Sequence, residues 1–159
     1  MDSKKTETPL YLLKKVRDSM IEESGAKTPL ETGGILIGKI ESNIVTITHA
    51  LGPGPKAQHG VCTFKRDGQY SQQELETIFS STQGQRDYVG EWHSHPAQCD
   101  ASNIDRGSIG WISQNSSYDC KHPVLVIPFL LPGNGWDLMG YRWDNKKLCR
   151  CPIEIIDMD

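Results

Sequence analysis

The sequence predicts one α/β domain built on a single mixed β-sheet with helices packed against it. Three observations carry that expectation. Ile- and Val-rich segments of strand length recur along the chain, stretches with helical spacing of apolar residues fall between them, and the last third alternates strand-like runs with turn-rich tetrads. At 159 residues the chain has the ordinary size of one domain, residues 1–159, and can bury most of its unfolded surface in one core. A bound metal would therefore serve chemistry rather than folding.

Thr8-Pro9 reads as an N-cap with proline at the first helical position. Leu10, Leu13, Val16, Met20 and Ile21 then repeat at helical spacing, which predicts a helix to about Ser24, stopped by Gly25. Gly33 to Ile40 and Asn43 to Ala50, around the turn Glu41-Ser42-Asn43, predict a hairpin. LGPGPKAQHG, residues 51–60, has two prolines and three glycines and reads as a loop, followed by a short strand over Val61 to Phe64. Leu75, Ile78 and Phe79 share one face of a helix over Ser71 to Ser80. Tyr88 to His95 reads as a strand, and Ser102 as the N-cap of a helix carrying Asp105, Ile109 and Ile112. Pro123 to Leu131, Trp136 to Trp143 and Leu148 to Ile156 read as strands parted by turns at Pro132–Gly135 and Asp144–Lys147.

Charge and composition narrow the function. A net charge of −3, from 17 basic and 20 acidic residues, comes with no basic block of the kind that holds a phosphate backbone, so nucleic acid is not expected as the main partner. No apolar run approaches the roughly 20 residues that span a bilayer, and the start MDSKKTETP has no apolar signal region. The expectation is a cytoplasmic protein without a membrane partner. Five cysteines, an odd number without a regular framework, suit reduced thiols. Cys149 and Cys151 are spaced C-x-C with no second pair opposite, and read as strand residues rather than a structural zinc site.

The chemistry concentrates in YVGEWHSHPAQCDASNID, residues 88–105. On an extended strand alternate side chains share a face, so Glu91, His93 and His95 can point together, the two imidazoles about 7 Å apart at their backbones. Asp105, in the first turn of the next helix, offers a third ligand across the loop. Two neutral nitrogens and one carboxylate leave a fourth tetrahedral position for water, the pattern of a catalytic zinc. Cys99 could also ligate, but a fourth protein ligand would close the site, so it reads as a loop residue. His49, His59 and His122 have no ligand-spaced partners and read as solvated or turn residues.

HSHP followed by S-x-x-D resembles the JAMM signature of the JAB/MPN metalloprotease family, and ETGGILIG, residues 31–38, resembles the family's upstream E-T-x-G-x-L-x-G element. The resemblance covers most of the chain, from the first helix to about Trp143. It implies a curved mixed sheet flanked by helices, layered as in cytidine deaminases. A zinc deaminase itself is excluded, because its H-x-E with a downstream P-C-x-x-C is absent. By resemblance, His93, His95 and Asp105 are the zinc ligands, Glu31 is the general base and Ser102 steadies the oxyanion. Glu91 competes with Glu31 on spacing alone; the resemblance favours Glu31 and leaves Glu91 a polar neighbour at the sheet's edge. Six residues, Pro96 to Ala101, separate His95 from Ser102, where many relatives have seven.

The resemblance further implies an isopeptidase that cleaves after the C-terminal glycine of ubiquitin or a ubiquitin-like protein, with Val61 to Phe64 as a candidate edge for the extended tail. YVGEWHSHP is most similar to bacterial stand-alone JAB proteins, which accompany E1-like and E2-like conjugating enzymes, some beside a cGAS-like nucleotidyltransferase in anti-phage systems. Alternatives from the same family are a peptidase for sulfur-carrier proteins, a metal-free MPN scaffold, and a RadC-type nucleic-acid role. The intact ligands count against the scaffold, and the acidic balance with HSHP rather than HNHP against the last.

Overall fold

The computed structural model describes residues 8–157 and confirms a mixed α/β architecture. In chain order the elements are β1 (Leu10–Leu13), α1 (Lys14–Lys27), β2 (Gly33–Glu41), β3 (Ile44–Ala50), β4 (Gln58–His59), β5 (Phe64–Lys65) and α2 (Gly68–Ser81). Then come β6 (Asp87–His93), α3 (Asn103–Gln114), β7 (Val124–Leu130), β8 (Trp136–Asp144), β9 (Lys147–Cys151) and β10 (Ile153–Ile156). Eight strands form one sheet in the order β10-β1-β3-β2-β6-β7-β8-β9, while β4 and β5 pair separately.

Both faces of the sheet are covered. Val16 and Met20 of α1 pack on one face with Leu12, Leu36, Val126 and Trp92, and α3 contributes Ile109 and Ile112 to the other with Ile35, Ile37, Leu125 and Ile127. Burial on both sides is why β2 and β7 read as unbroken apolar runs, GGILIG and VLVIPFL, rather than as alternating strands. Among the described residues no helix is long and apolar enough to cross a membrane.

The predicted hairpin, the helix after residue 68 and the strands after residue 123 are present, with three corrections. First, the helix does not begin at Pro9. Leu10–Leu13 form β1, which pairs in parallel with both β3 and β10, and α1 starts at Lys14. A short apolar run fits a buried strand as well as a helix turn, and here a place inside the sheet decides it. Gly25 does not stop the helix, which runs to Lys27. Second, the last strand is broken. Pro152 separates β9, paired with β8, from β10, paired with β1 at the opposite edge, and the Leu10 amide donates to the Pro152 carbonyl at 2.9 Å. The chain thus steps from one edge of the sheet to the other within a residue, which requires the sheet to curl until its edges meet. Third, the short strand expected at Val61 to Phe64 lies at Phe64–Lys65, paired with Gln58–His59.

β2 and β6 run antiparallel in the middle of the sheet, with Gly33 opposite His93 and Gly34 opposite Trp92. A side chain at Gly33 would collide with the Trp92 carbonyl and the His93 backbone, so glycine permits this close approach. A bulge opposite Leu36/Ile37 shifts the register along β6. That shift places Tyr88 on the face of Glu91, with which it shares a hydrogen bond.

The path of α1 through Gly25 has a testable consequence. Gly25 is exposed, and a Cβ there would meet only Trp136 Nε1 at 3.9 Å. Gly25→Ala should therefore stabilise the protein by about 0.5–1 kcal/mol in urea unfolding. Destabilisation would mean that the helix ends at Ser24 with Gly25 in a left-handed turn.

Candidate metal centre

His93 is the last residue of β6, and His95 follows on the same face. The His95 amide donates to the Pro128 carbonyl at 2.8 Å and its carbonyl accepts from the Leu130 amide at 3.2 Å, so β7 fixes its backbone. The two imidazole rings lie 5.1 Å apart, inclined by 49°. Asp105 reaches them from the first turn of α3. Its Oδ1 is 3.1 Å from His93 Nε2 and its Oδ2 is 3.7 Å from His95 Nε2.

A local capping box aims that carboxylate. Ser102 Oγ accepts from the Asp105 amide at 3.0 Å, and Asp105 Oδ2 accepts from the Ser102 amide at 2.8 Å, so helix start and carboxylate are set together. The expected N-cap at Ser102 is thus present despite the six-residue spacing. The preceding loop is held by Asp100, whose carboxylate accepts from the Tyr141 hydroxyl and from the Ala101 amide and sits 3.4 Å from Arg106 Nη2. Asp100 lines the same cleft as the histidines, but its carboxylate is taken up by these loop contacts.

Donor atoms of His93, His95 and Asp105 all lie within 4.8 Å of one another. Two imidazole nitrogens and one carboxylate oxygen converging at that spacing suit a divalent metal ion. The electrostatics of the three groups are coupled. Burial pushes the Asp105 carboxyl up, but the hydrogen bond and charge of His93 and the bonds from Ser102 outweigh it and bring it to about 2. Burial lowers His93, yet Asp105 more than compensates and its net shift is upward. His95 is lowered, first by burial and then by the charge of His93. Asp105 and His95 are thus shifted toward the anionic and neutral forms that ligation needs, whereas His93 is shifted toward the imidazolium that pairs with Asp105 and would give up its proton when a metal binds.

Glu31 lines the same cleft, about 550 Å³ in volume, together with the two histidines, Asp105 and Ser102. Burial raises its carboxyl; the positive charge of His93 opposes that and the negative charge of Asp105 adds to it. Thr32 carries it there. Its amide donates to Ser94 Oγ at 3.1 Å and its carbonyl accepts from the Ser94 amide at 2.8 Å, which ties the start of β2 to the histidine segment.

Glu91, by contrast, is engaged elsewhere. β6 is a central strand, so Glu91 does not lie at the sheet's edge. Its Oε1 is 2.9 Å from Arg66 Nε and its Oε2 accepts from the Tyr88 hydroxyl, while Arg66 Nη2 donates to the Tyr118 hydroxyl at 3.0 Å. Burial opposes the Arg66 charge, but Glu91 and the two tyrosines raise its pKa overall, so the guanidinium stays charged. Cys99 Sγ lies 3.1 Å from His95 Nδ1, the nitrogen facing away from Asp105, and so stands behind the ligand rather than within the ligand set. Cys149 and Cys151 are buried residues of β9 as expected.

Sequence spacing missed two contributors. His59 lies in β4 and Arg66 just after β5 of the separate hairpin, and His59, read as a solvated or turn residue, has its Nδ1 2.9 Å from the Glu31 carbonyl oxygen. No local signal marks either, because their partners are 25 and 28 residues away.

Comparison with known proteins agrees with this geometry. Residues 13–106, more than half of the chain, match the family model of prokaryotic homologs of the JAB domain. A probable metalloprotease of Sinorhizobium fredii is 26% identical over 137 residues, 84% of this chain and 82% of that protein. Two proteins named CD-NTase/cGAS isopeptidase are also similar. That of Escherichia coli is 36% identical over 43% of this chain and 44% of its own length, and that of Enterobacter hormaechei 33% identical over 69% and 61%. The chain thus matches less than two thirds of the length of these two isopeptidases. The solution structure of a Desulfitobacterium hafniense protein shares the fold, with a TM-score of 0.68 at 17% identity over 94% of each chain. On the family match, this chain belongs to the family of prokaryotic homologs of the JAB domain.

Proposed function

We propose that the chain is a zinc-dependent isopeptidase that cleaves after the C-terminal glycine of a ubiquitin-like protein or its conjugate. The observation that supports it most is the convergence of His93, His95 and Asp105 with Glu31 and Ser102 in one cleft. In this reading His93, His95 and Asp105 hold the zinc, which supplies Lewis acidity and makes water a competent nucleophile near neutral pH.

The remaining chemistry belongs to the side chains. Glu31 takes a proton from the attacking water and returns it to the departing lysine amine, a role suited to a carboxylate that burial raises toward neutrality. Ser102 Oγ accepts from the Asp105 amide, and its hydroxyl is the group that turns to donate to the oxyanion of the substrate carbonyl. The Asp105 carboxylate is pinned by the capping box, so this ligand is presented beside both histidines in a fixed place.

The cleft suits an extended tail of small residues. Val61 to Phe64 line one wall and Ile104 of α3 the other, with Val61 58% and Ile104 76% exposed. Among the described residues β5 pairs only with β4, so its outer edge is available for strand addition. The isopeptidase relatives carry CD-NTase/cGAS in their names, which supports a cGAS-like nucleotidyltransferase as the conjugated target; a cytoplasmic anti-phage setting with E1-like and E2-like enzymes is what the family resemblance adds to this reading.

Elemental analysis of the purified protein should find about one zinc per chain, lost in His95→Ala and retained in Glu31→Gln. On a panel of ubiquitin-like conjugates, Glu31→Gln should lower kcat by about a hundredfold or more. Zinc that stays in His95→Ala, or a Glu31→Gln enzyme with unchanged turnover, contradicts these roles. Glu91→Gln should keep its zinc and lose activity only in part, since Arg66 holds Glu91 away from the reacting atoms. Complete loss with zinc retained would make Glu91 the base instead.

A further inference from the structure

Glu31 precedes the first residue of β2 and so lies outside the main sheet. A group that must move one proton to and fro needs its position held within a fraction of an ångström, and here the hold comes from elsewhere. On one side Thr32 is tied to Ser94. On the other, the β4–β5 hairpin takes both main-chain groups of Glu31. The Glu31 amide donates to the Gly60 carbonyl at 2.8 Å, and His59 Nδ1 lies 2.9 Å from the Glu31 carbonyl oxygen. A carbonyl only accepts, so Nδ1 carries the proton and donates. The far end of the hairpin is fastened by Arg66 to Glu91, two residues before His93. The same hairpin forms a wall of the cleft through Val61 and Phe64.

We propose that His59 is a positioning residue, which clasps the main chain of Glu31 to the β4–β5 hairpin and so holds the general base by the wall along which the substrate tail lies. The proposal rests on the functional reading above. It gives a physical role to a histidine outside the ligand set, and it couples tail binding to the base. A strand added to the hairpin stiffens the element that fixes Glu31.

A purely structural role has a different signature, because the His59 ring also packs against Phe64, 5.5 Å between centroids and inclined by 43°. Two variants separate donation from packing. His59→Asn keeps an N–H donor near the place of Nδ1 and gives up the ring, whereas His59→Phe keeps a ring and gives up the donor. Both are compared with the unaltered chain by thermal melting, by hydrogen exchange at the Glu31 amide, and by kcat and KM on a ubiquitin-like conjugate.

In the Phe variant the Glu31 amide should exchange about tenfold faster and kcat should fall about tenfold, with KM and zinc content little changed; the Asn variant should stay within about threefold on both. The reverse order, with Asn damaged and Phe intact, overturns the proposal in favour of packing. Exchange that rises in the Phe variant with kcat unmoved also overturns it, since the clasp would then not serve the reaction. If the unaltered chain turns over no conjugate while exchange follows the expected order, the functional reading fails. The clasp is then a structural contact only.

Discussion

The site depends on the close approach of two backbones, Gly33 of β2 and His93 of β6. β6 delivers the histidines at its end, and β2 begins beside them, so the residues just before Gly33 are carried into the same cleft. Thr32 and Ser94 extend the contact past the formal end of the pairing. A side chain at position 33 would force the strands apart and separate Glu31 from the histidines. ETGG and HSHP are therefore two halves of one structural feature, although about 60 residues lie between them.

Around that junction each charged group is held by a different element. Asp105 is fixed by its own helix cap, Asp100 by Tyr141 and Arg106, and Glu91 by Arg66 and Tyr88. Four carboxylates in one small region would repel one another if all faced the same point. All four line the cleft, but Glu91 and Asp100 are engaged by Arg66, Tyr88, Tyr141 and Arg106, whereas Asp105 is bonded to the histidine side. Asp105 and Glu31 differ in environment: hydrogen bonds drive Asp105 down to about 2, while burial raises Glu31. Neighbouring carboxylates pushed in opposite directions are suited to a constant anion and a proton carrier.

Strand alternation and the helix cap made His93, His95 and Asp105 legible as candidate ligands, family resemblance assigned them, and their donor atoms do converge within 4.8 Å. Spacing could not choose between Glu31 and Glu91; family resemblance favoured the first, and the physical reason, an arginine at the end of a separate hairpin that engages Glu91, lies 25 residues from it in sequence. The first strand was hidden because LYLL fits a helix turn as well as a strand, and its two partners, β3 and β10, come later in the chain. The break at Pro152 was illegible for the same reason: both halves read as strand, and only the curl of the sheet sends them to opposite edges. His59 had no local signature, since its role arises from a main-chain carbonyl in another element.

The central claim is that His93, His95 and Asp105 bind a metal while leaving a coordination position to water, with Cys99 standing behind His95 rather than on the ion. X-ray absorption at the zinc edge of the loaded protein tests it most directly. The spectrum should show a shell of nitrogen and oxygen scatterers at about 2.0–2.2 Å with the multiple-scattering pattern of two imidazoles and no sulfur. A sulfur scatterer at about 2.3 Å, or a single imidazole, would contradict it.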